Sequence, residues 1–212
     1  PTPEELASIA CASCDTVAAL TGWDVRCALL SHSTDGSMDN ALVDKVRAAR
    51  SIANERRPDL KIDGEFQFDA AVRPDVAAKK VRRESEVAGR ANLLIWPDIN
   101  VGNIGVKIIQ NLTGADAYGP MLQGFKKIVC DCSRSAPVSE IVGNVVMSCV
   151  RAQALAEGEE RLCEAAPCAL SRSEHTSAPT PPSLSAAWPE ALYRLTLYTR
   201  PELAFRLGDR VE

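Results

Sequence analysis

Three observations on the 212-residue chain predict an α/β fold followed by a largely irregular tail. Residues 1–153 alternate helical and extended patterns, as strands joined by crossover helices do. One extended run, Asn92-Leu93-Leu94-Ile95-Trp96, is apolar throughout and closed by Pro97-Asp98, which is how a strand buried on both faces reads. Composition then shifts near residue 153, since all seven Lys, every Ile and every Asn precede it.

Each element has a local signature. Leu6, Ile9, Ala10, Val17 and Leu20 form one face of a helix that starts after Thr2-Pro3-Glu4, where Pro and early acids favour an N-terminus. Residues 25–30 read as a strand. Residues 39–56 carry Ala41, Leu42, Val46, Ala49 and Ala53 at helical spacing, and Arg57-Pro58 ends them. Residues 69–83 form a second helical segment, interrupted at Pro74. After the strand at 92–96, residues 104–112 read as helix, 118–122 and 128–130 as short strands, and 138–153 as a further helix. In the tail, Thr176-Ser177-Ala178-Pro179-Thr180-Pro181-Pro182-Ser183 is too poor in apolar residues to offset the cost of ordering. Residues 192–198 alternate weakly like one strand, and a single strand does not fold alone.

Composition narrows the function. Apolar residues make up 46% and charged residues 25%, ordinary globular usage. Lys plus Arg number 24 against 28 acids, and the net charge of −4 supplies no basic field for nucleic acid or an anionic membrane. Eight scattered Cys are too few for a disulfide scaffold, and no apolar run reaches the ~18 residues of a membrane span. A reducing, cytoplasmic setting is expected. Because the first residue is Pro1 and not Met, the chain is expected to be cut from something longer.

In open α/β sheets ligands bind outside the carboxyl ends of strands, so the turns there are the places to search. Ser31-His32-Ser33-Thr34 reads either as an anion-holding turn, with Ser31 and Ser33 as contacts, or as a polar loop. Asp63-Gly64-Glu65-Phe66-Gln67-Phe68-Asp69 places two acids and an amide about a Gly turn. Pro97-Asp98-Ile99-Asn100-Val101-Gly102-Asn103-Ile104-Gly105 sets two glycines between strand and helix, where a helix N-terminus attracts phosphate, although plain turn chemistry explains it equally. The richest is Asp131-Cys132-Ser133-Arg134-Ser135-Ala136-Pro137-Val138-Ser139-Glu140. Pro137 suits a first helical position, so Ser133 and Arg134 sit at the positive end of a helix, and a guanidinium beside a hydroxyl can bind phosphate and polarise a carbonyl together.

Four of these stretches resemble one family when read in order: 61–71, 97–105, Gly119-Pro120-Met121-Leu122-Gln123-Gly124, and Ser133-Arg134. Residues 1–153 are similar to the C-terminal half of the catalytic region of phosphate acetyltransferase, in the phosphate acetyl/butyryltransferase family. The resemblance implies a three-layer α/β/α lobe like that of isocitrate and isopropylmalate dehydrogenases, and reversible acetyl transfer between coenzyme A and inorganic phosphate. It implies no cofactor and no metal, with acetyl-CoA, phosphate and acetyl phosphate as substrates and products, and a homodimer. Ser133 would hydrogen-bond the oxyanion, Arg134 would hold phosphate, and Glu140 stands where the family carries an Asp base. Asn103, Gly105, Gln123 and Gly124 would line the substrate. The family's N-terminal half is not among these 212 residues, so little turnover is expected from them alone.

Two other readings stand beside it: butyryl transfer, and a noncatalytic module like the C-terminal domain of bacterial malic enzymes, against which Ser133-Arg134 weighs. The tail is expected to be either a true extension or a product of frame slippage. The remaining motifs read as structure. Cys11 and Cys14 have no second pair or His at metal-finger distance, Cys130 and Cys132 fit strand packing, and His32 and His175 lack a triad partner. Lys79-Lys80-Val81-Arg82-Arg83 reads as a solvated helix face, or as a contact for coenzyme A phosphates.

Overall fold

A computed structural model describes residues 1–125 and 127–157. Helix α1 (Pro3–Thr21) is started by a reciprocal cap, in which the Thr2 hydroxyl accepts from the Glu5 N–H (3.2 Å) and the Glu5 carboxylate accepts from the Thr2 N–H (2.8 Å). Strand β1 (Arg26–Leu30) leads to α2 (Ala41–Arg56), capped by Asn40. Strand β2 (Lys61–Phe66) is followed by two short helices, α3 (Phe68–Val72) and α4 (Pro74–Lys80), which split where Pro74 lacks an N–H to continue the first. Then come β3 (Leu93–Ile95), α5 (Ile99–Thr113), β4 (Met121–Leu122), β5 (Val129–Cys130) and α6 (Val138–Glu157).

The main sheet is parallel, in the order β2-β1-β3, with Cys27 opposite both Ile62 and Leu93. The alternation of β1 divides the core. Cys27 and Leu29 pack against α1 and α2 with Leu6, Ala10, Cys14, Val46 and Ala49, while Ala28 and Leu30 pack the other way, against Phe66, Ala71, Val87 and Ala91. Cys11, Cys14 and Cys27 are buried thiols of the first cluster, outside any disulfide, and burial pushes the Cys27 thiol well up. Strands β4 and β5 form a separate antiparallel pair.

Two parts of the chain differ most from the sequence reading. Residues 61–66 are a strand, five of the six residues buried, not a Gly turn. Asp63 and Glu65 disguise it, because acids are rare in buried strands; here each is paired. Asp63 accepts from both terminal nitrogens of Arg83 (2.7 Å each) and from the Ser85 hydroxyl (2.6 Å). Helix α5 begins at Ile99, five residues earlier than the sequence predicts, because Asp98 caps it through the N–H groups of Asn100 (2.9 Å) and Val101 (3.1 Å). Gly102 and Gly105 therefore lie inside the helix and not before it. The strands predicted at 118–122 and 128–130 are shorter than expected, and α6 passes residue 153. The rest of the predicted tail, with its strand at 192–198, lies outside the described residues.

At Gly64, β2 leaves no room for a side chain against β1. The glycine's φ is +155°, and a Cβ there would lie 2.7 Å from the Leu29 carbonyl oxygen. Gly64→Ala therefore forces backbone apart at the sheet's centre, and the expected loss is about 2 kcal/mol or more. Urea unfolding of the variant checks it; an unchanged midpoint would show that the strands slide apart freely.

Candidate active site

A cleft of about 100 Å³ opens between α5, the end of β3, and the segments around residues 119 and 133. Trp96 forms its floor. Gly105 lets α5 settle on the indole, since a Cβ at that position would lie 2.9 Å from Cη2 of the ring. One face of α5 supplies Asn103, Lys107 and Gln110, spaced by four and three residues as a helix face requires. Opposite stand Tyr118, Gly119, Gln123, Ser133 and Glu140. A second groove of about 280 Å³ continues the cleft past Lys107, Tyr118, Ser133 and Glu140 to Ser135 and Ser139.

Gln123 is fixed from behind. Its side-chain N–H donates to Thr16 Oγ1 (2.9 Å), and its carbonyl accepts from the Ser13 hydroxyl (3.4 Å). Ser13 and Thr16 are buried on the inner face of α1, three residues apart, so the amide satisfies two buried hydroxyls of one helix. Gly124 follows with φ +82° and open space about its Cα, which suits a sharp bend away from the cleft.

Ser133 opens a tight turn. Its carbonyl accepts from the Ala136 N–H (3.0 Å), its hydroxyl lies 3.1 Å from that of Ser135, and Arg134 at the turn's tip is exposed. The turn ends at the start of α6, whose first turn carries Glu140 into the cleft. Hydroxyl and carboxylate thus face one cavity across a helix N-terminus, with Lys107 on the far wall: a donor for a developing oxyanion, a proton acceptor, and a cation for an anionic substrate. Of the neighbouring cysteines, Cys130 is half-buried, and burial pushes its thiol up, which disfavours the nucleophilic thiolate.

Ser133, Glu140, Asn103 and Gln123 are therefore gathered in one cleft, with Arg134, Gly105 and Gly124 adjoining it in sequence. Ser31 and Ser33 lie elsewhere, at the carboxyl end of β1. The Ser33 hydroxyl is buried and donates to Glu65 Oε1 (3.1 Å), while Ser31 Oγ accepts from the Ser33 N–H (3.3 Å). Sequence reading passed over Lys107, Gln110 and Tyr118. The first two were within reach once Asp98 is taken as a cap, since Asn103, Lys107 and Gln110 then share a face. Among the described residues, no group of three or more His, Cys, Asp and Glu side chains is placed to hold a metal ion, and no helix is long and apolar enough to cross a membrane.

A family model described as Phosphate acetyl/butaryl transferase matches residues 1–149, a span that contains the whole cleft. The chain belongs to that family. Among members of the phosphate acetyl/butaryl transferase family, the phosphate acetyltransferase of Thermoanaerobacterium thermosaccharolyticum is 49% identical over 153 residues, covering 72% of this chain and 46% of the relative. That of Escherichia coli is 47% identical over 151 residues, covering 71% of this chain and 21% of the relative. The crystal structure of a phosphotransacetylase from Streptococcus pyogenes superposes with a TM-score of 0.68 at 46% identity, over 72% of this chain and 46% of the other. The chain thus spans about half the length of the shorter relatives and about a fifth of the longer one.

Proposed function

We propose that the protein transfers an acetyl group reversibly between coenzyme A and inorganic phosphate, with residues 1–153 as the acyltransferase domain. The observation that carries the reading is that Ser133 and Glu140 line one cleft within a stretch nearly half identical to proteins named phosphate acetyltransferase. In the direction of thioester synthesis, Glu140 takes the thiol proton of coenzyme A and the thiolate attacks the carbonyl carbon of acetyl phosphate. The C–S bond forms while Ser133 donates to the oxyanion. The C–O bond to phosphate then breaks, and phosphate leaves against Arg134. Lys107, Asn103 and Gln123 hold the substrate's polar groups, Gly124 shapes the wall beyond them, and Gly105 acts through its seat on Trp96. Ser31 and Ser33 contribute from the loop after β1, which they hold through the bonds of Ser33 to Glu65 and of Ser31 to the Ser33 N–H.

The same proposal takes the fold as a three-layer α/β/α, isocitrate/isopropylmalate dehydrogenase-like lobe, with helices α1 and α2 on one face of the sheet and α3 on the other. It takes the enzyme as a cytoplasmic homodimer that engages neither nucleic acid nor membrane. Rows of exposed apolar residues support association, with Ile104 (60% exposed) and Leu112 (81%) on α5 and Val138 (75%) and Val145 (58%) on α6.

Because the chain spans about half of its shorter relatives, its turnover is best read in a graft, with residues 1–153 replacing the matching half of the Thermoanaerobacterium enzyme. The graft is expected to make acetyl-CoA from acetyl phosphate and coenzyme A, and to prefer the acetyl to the butyryl substrate. The 212-residue chain alone is expected to show little turnover, since half a cleft binds a large anion poorly. A folded graft that binds coenzyme A without turnover would overturn the proposal; a butyryl preference would move it to the other acyl class.

A further inference from the structure

Helix α6 is built with polar groups inward. Asn144 and Arg151, seven residues apart, are 2% and 3% exposed, while Val138 and Val145 face outward. The buried pair meets the β4–β5 hairpin, which has only two residues in each strand, too short a ladder to be stable by itself. Arg151 donates to the Leu122 carbonyl (3.3 Å) at the hairpin's inner end. Asn144 works at the open end and touches both strands' continuations. Its Oδ1 accepts from the Gly119 N–H (2.6 Å), and its Nδ2 is within reach of the Gly119 carbonyl (3.2 Å), the Asp131 carbonyl (3.4 Å) and Cys132 Sγ (3.4 Å). Just before it, Gly143 lies directly beneath the Tyr118 ring, with no room for a Cβ, so the helix approaches the segment as closely as backbone allows.

These contacts bear on the reacting groups. Asp131 and Cys132 lead directly into Ser133, and Glu140 precedes Asn144 by one helical turn on the same face. The loop that carries Ser133 and Arg134 is thus fastened at its entry by the residue that sits one turn beyond the base. Beside Asn144, the Asp131 N–H donates to the Pro120 carbonyl across the hairpin (3.0 Å), while the Cys132 N–H to the Asp131 carboxylate (2.8 Å) ties the entry only to its own neighbour. We propose that Asn144 is a positioning residue for acetyl transfer, a clamp that fixes the Ser133 hydroxyl relative to the Glu140 carboxylate and to the Gly119 wall of the cleft. The inference rests on the acetyl-transfer reading of this cleft and adds to it a residue that touches no substrate.

Two variants test it. Asn144→Leu keeps the volume and loses every bond; Asn144→Asp keeps an acceptor for the Gly119 N–H and loses the donors to Asp131 and Cys132. In the graft, both are expected to lower kcat by about 10- to 100-fold, the loss that displacement of a reacting group by ~1 Å brings, with KM for coenzyme A within about threefold of the parent. In the 212-residue chain, amide hydrogen exchange should quicken at Gly119 in Asn144→Leu but not in Asn144→Asp, while residues 27–29 stay protected in both. Unchanged kcat in Asn144→Leu, or a kcat loss matched by lost protection at residues 27–29, overturns the clamp. If the unsubstituted graft is inactive, the acetyl-transfer reading is what fails. The exchange pattern then still decides whether Asn144 holds the loop.

Discussion

Glu140→Gln in the graft lowers kcat for acetyl-CoA synthesis by about 10²- to 10⁴-fold at neutral pH, the usual worth of a positioned general base. The cause is specific to the nucleophile. A free thiol with a pKa of roughly 8.5 is only a few per cent thiolate at pH 7, so a carboxylate that collects the proton during attack is worth most there. As pH rises toward the thiol's own pKa, solvent makes the thiolate unaided, and the deficit of the variant narrows. Initial rates from pH 6.5 to 9 check both the size and the slope; a deficit constant across that range would mean that Glu140 binds or orients but does not take the proton. Ser133→Ala is expected to cost about 10²- to 10³-fold with no such narrowing, since in the proposed mechanism its hydroxyl serves the oxyanion and not the thiol.

Most of the fold was legible because helices and buried strands carry strong periodic signals. The apolar face of α1 and the run Leu93-Leu94-Ile95 announce their environment and are buried or nearly so, as are Val46, Ala49 and Ala53 on α2, whereas Ala41 and Leu42, read with them, are exposed and Val43 is buried instead. Strand β2 was not legible, for a physical reason: its middle is Asp63-Gly64-Glu65, and the groups that neutralise the acids come from 83–85 and 33–47, far along the chain. No local pattern states that a distant arginine will arrive. The start of α5 was missed for the opposite reason. Two glycines at 102 and 105 weaken helix propensity, yet the Trp96 ring needs the missing side chain at Gly105, and packing overrides propensity.

The site was legible where chemistry is concentrated in one stretch. Ser133, Arg134 and Glu140 fall within eight residues, and the turn before α6 follows from Pro137 alone. Residues that serve the site from other elements stayed hidden. Lys107 and Asn144 each lie singly within a helical stretch, and no motif around them marks them. Asn144 and Arg151 point inward on α6 beside the apolar Met147 and Ala154, because the hairpin they hold offers carbonyls and N–H groups as well as apolar side chains.

Glu65 provides the largest effect on stability. Its side chain is 3% exposed and accepts from Arg47 Nε and Nη2 (3.1 Å each), the Gly36 N–H (2.9 Å) and the Ser33 hydroxyl (3.1 Å). Burial pushes its pKa up, but Arg47 and then these two donors overcome it and hold the carboxyl at about 2, against 4.5 when free. A lowered folded pKa means that the ionised form favours folding. The stabilisation, on the order of 3 kcal/mol, is complete above about pH 4.5 and drains away as pH falls toward 2. Glu65→Gln removes the charge, so its stability should be lower at pH 7 yet change less between pH 5 and 3 than the parent's. Glu65→Ala goes further and takes the acceptor from the Arg47 Nε, the Gly36 N–H and the Ser33 hydroxyl at once, leaving Arg47 its bonds to Asp39 (2.6 Å) and the Met38 carbonyl (2.9 Å), and the expected loss is about 3–5 kcal/mol. Urea midpoints at pH 7, 5 and 3 give the comparison, and equal acid sensitivity in Glu65→Gln and the parent would remove Glu65 from the account. The result decides what the 61–71 stretch is for: its acid sits on a fold-holding bracket between β2, α2 and the Ser33 loop, so Glu65 variants should lose stability at all substrate concentrations while the graft that still folds keeps its kcat.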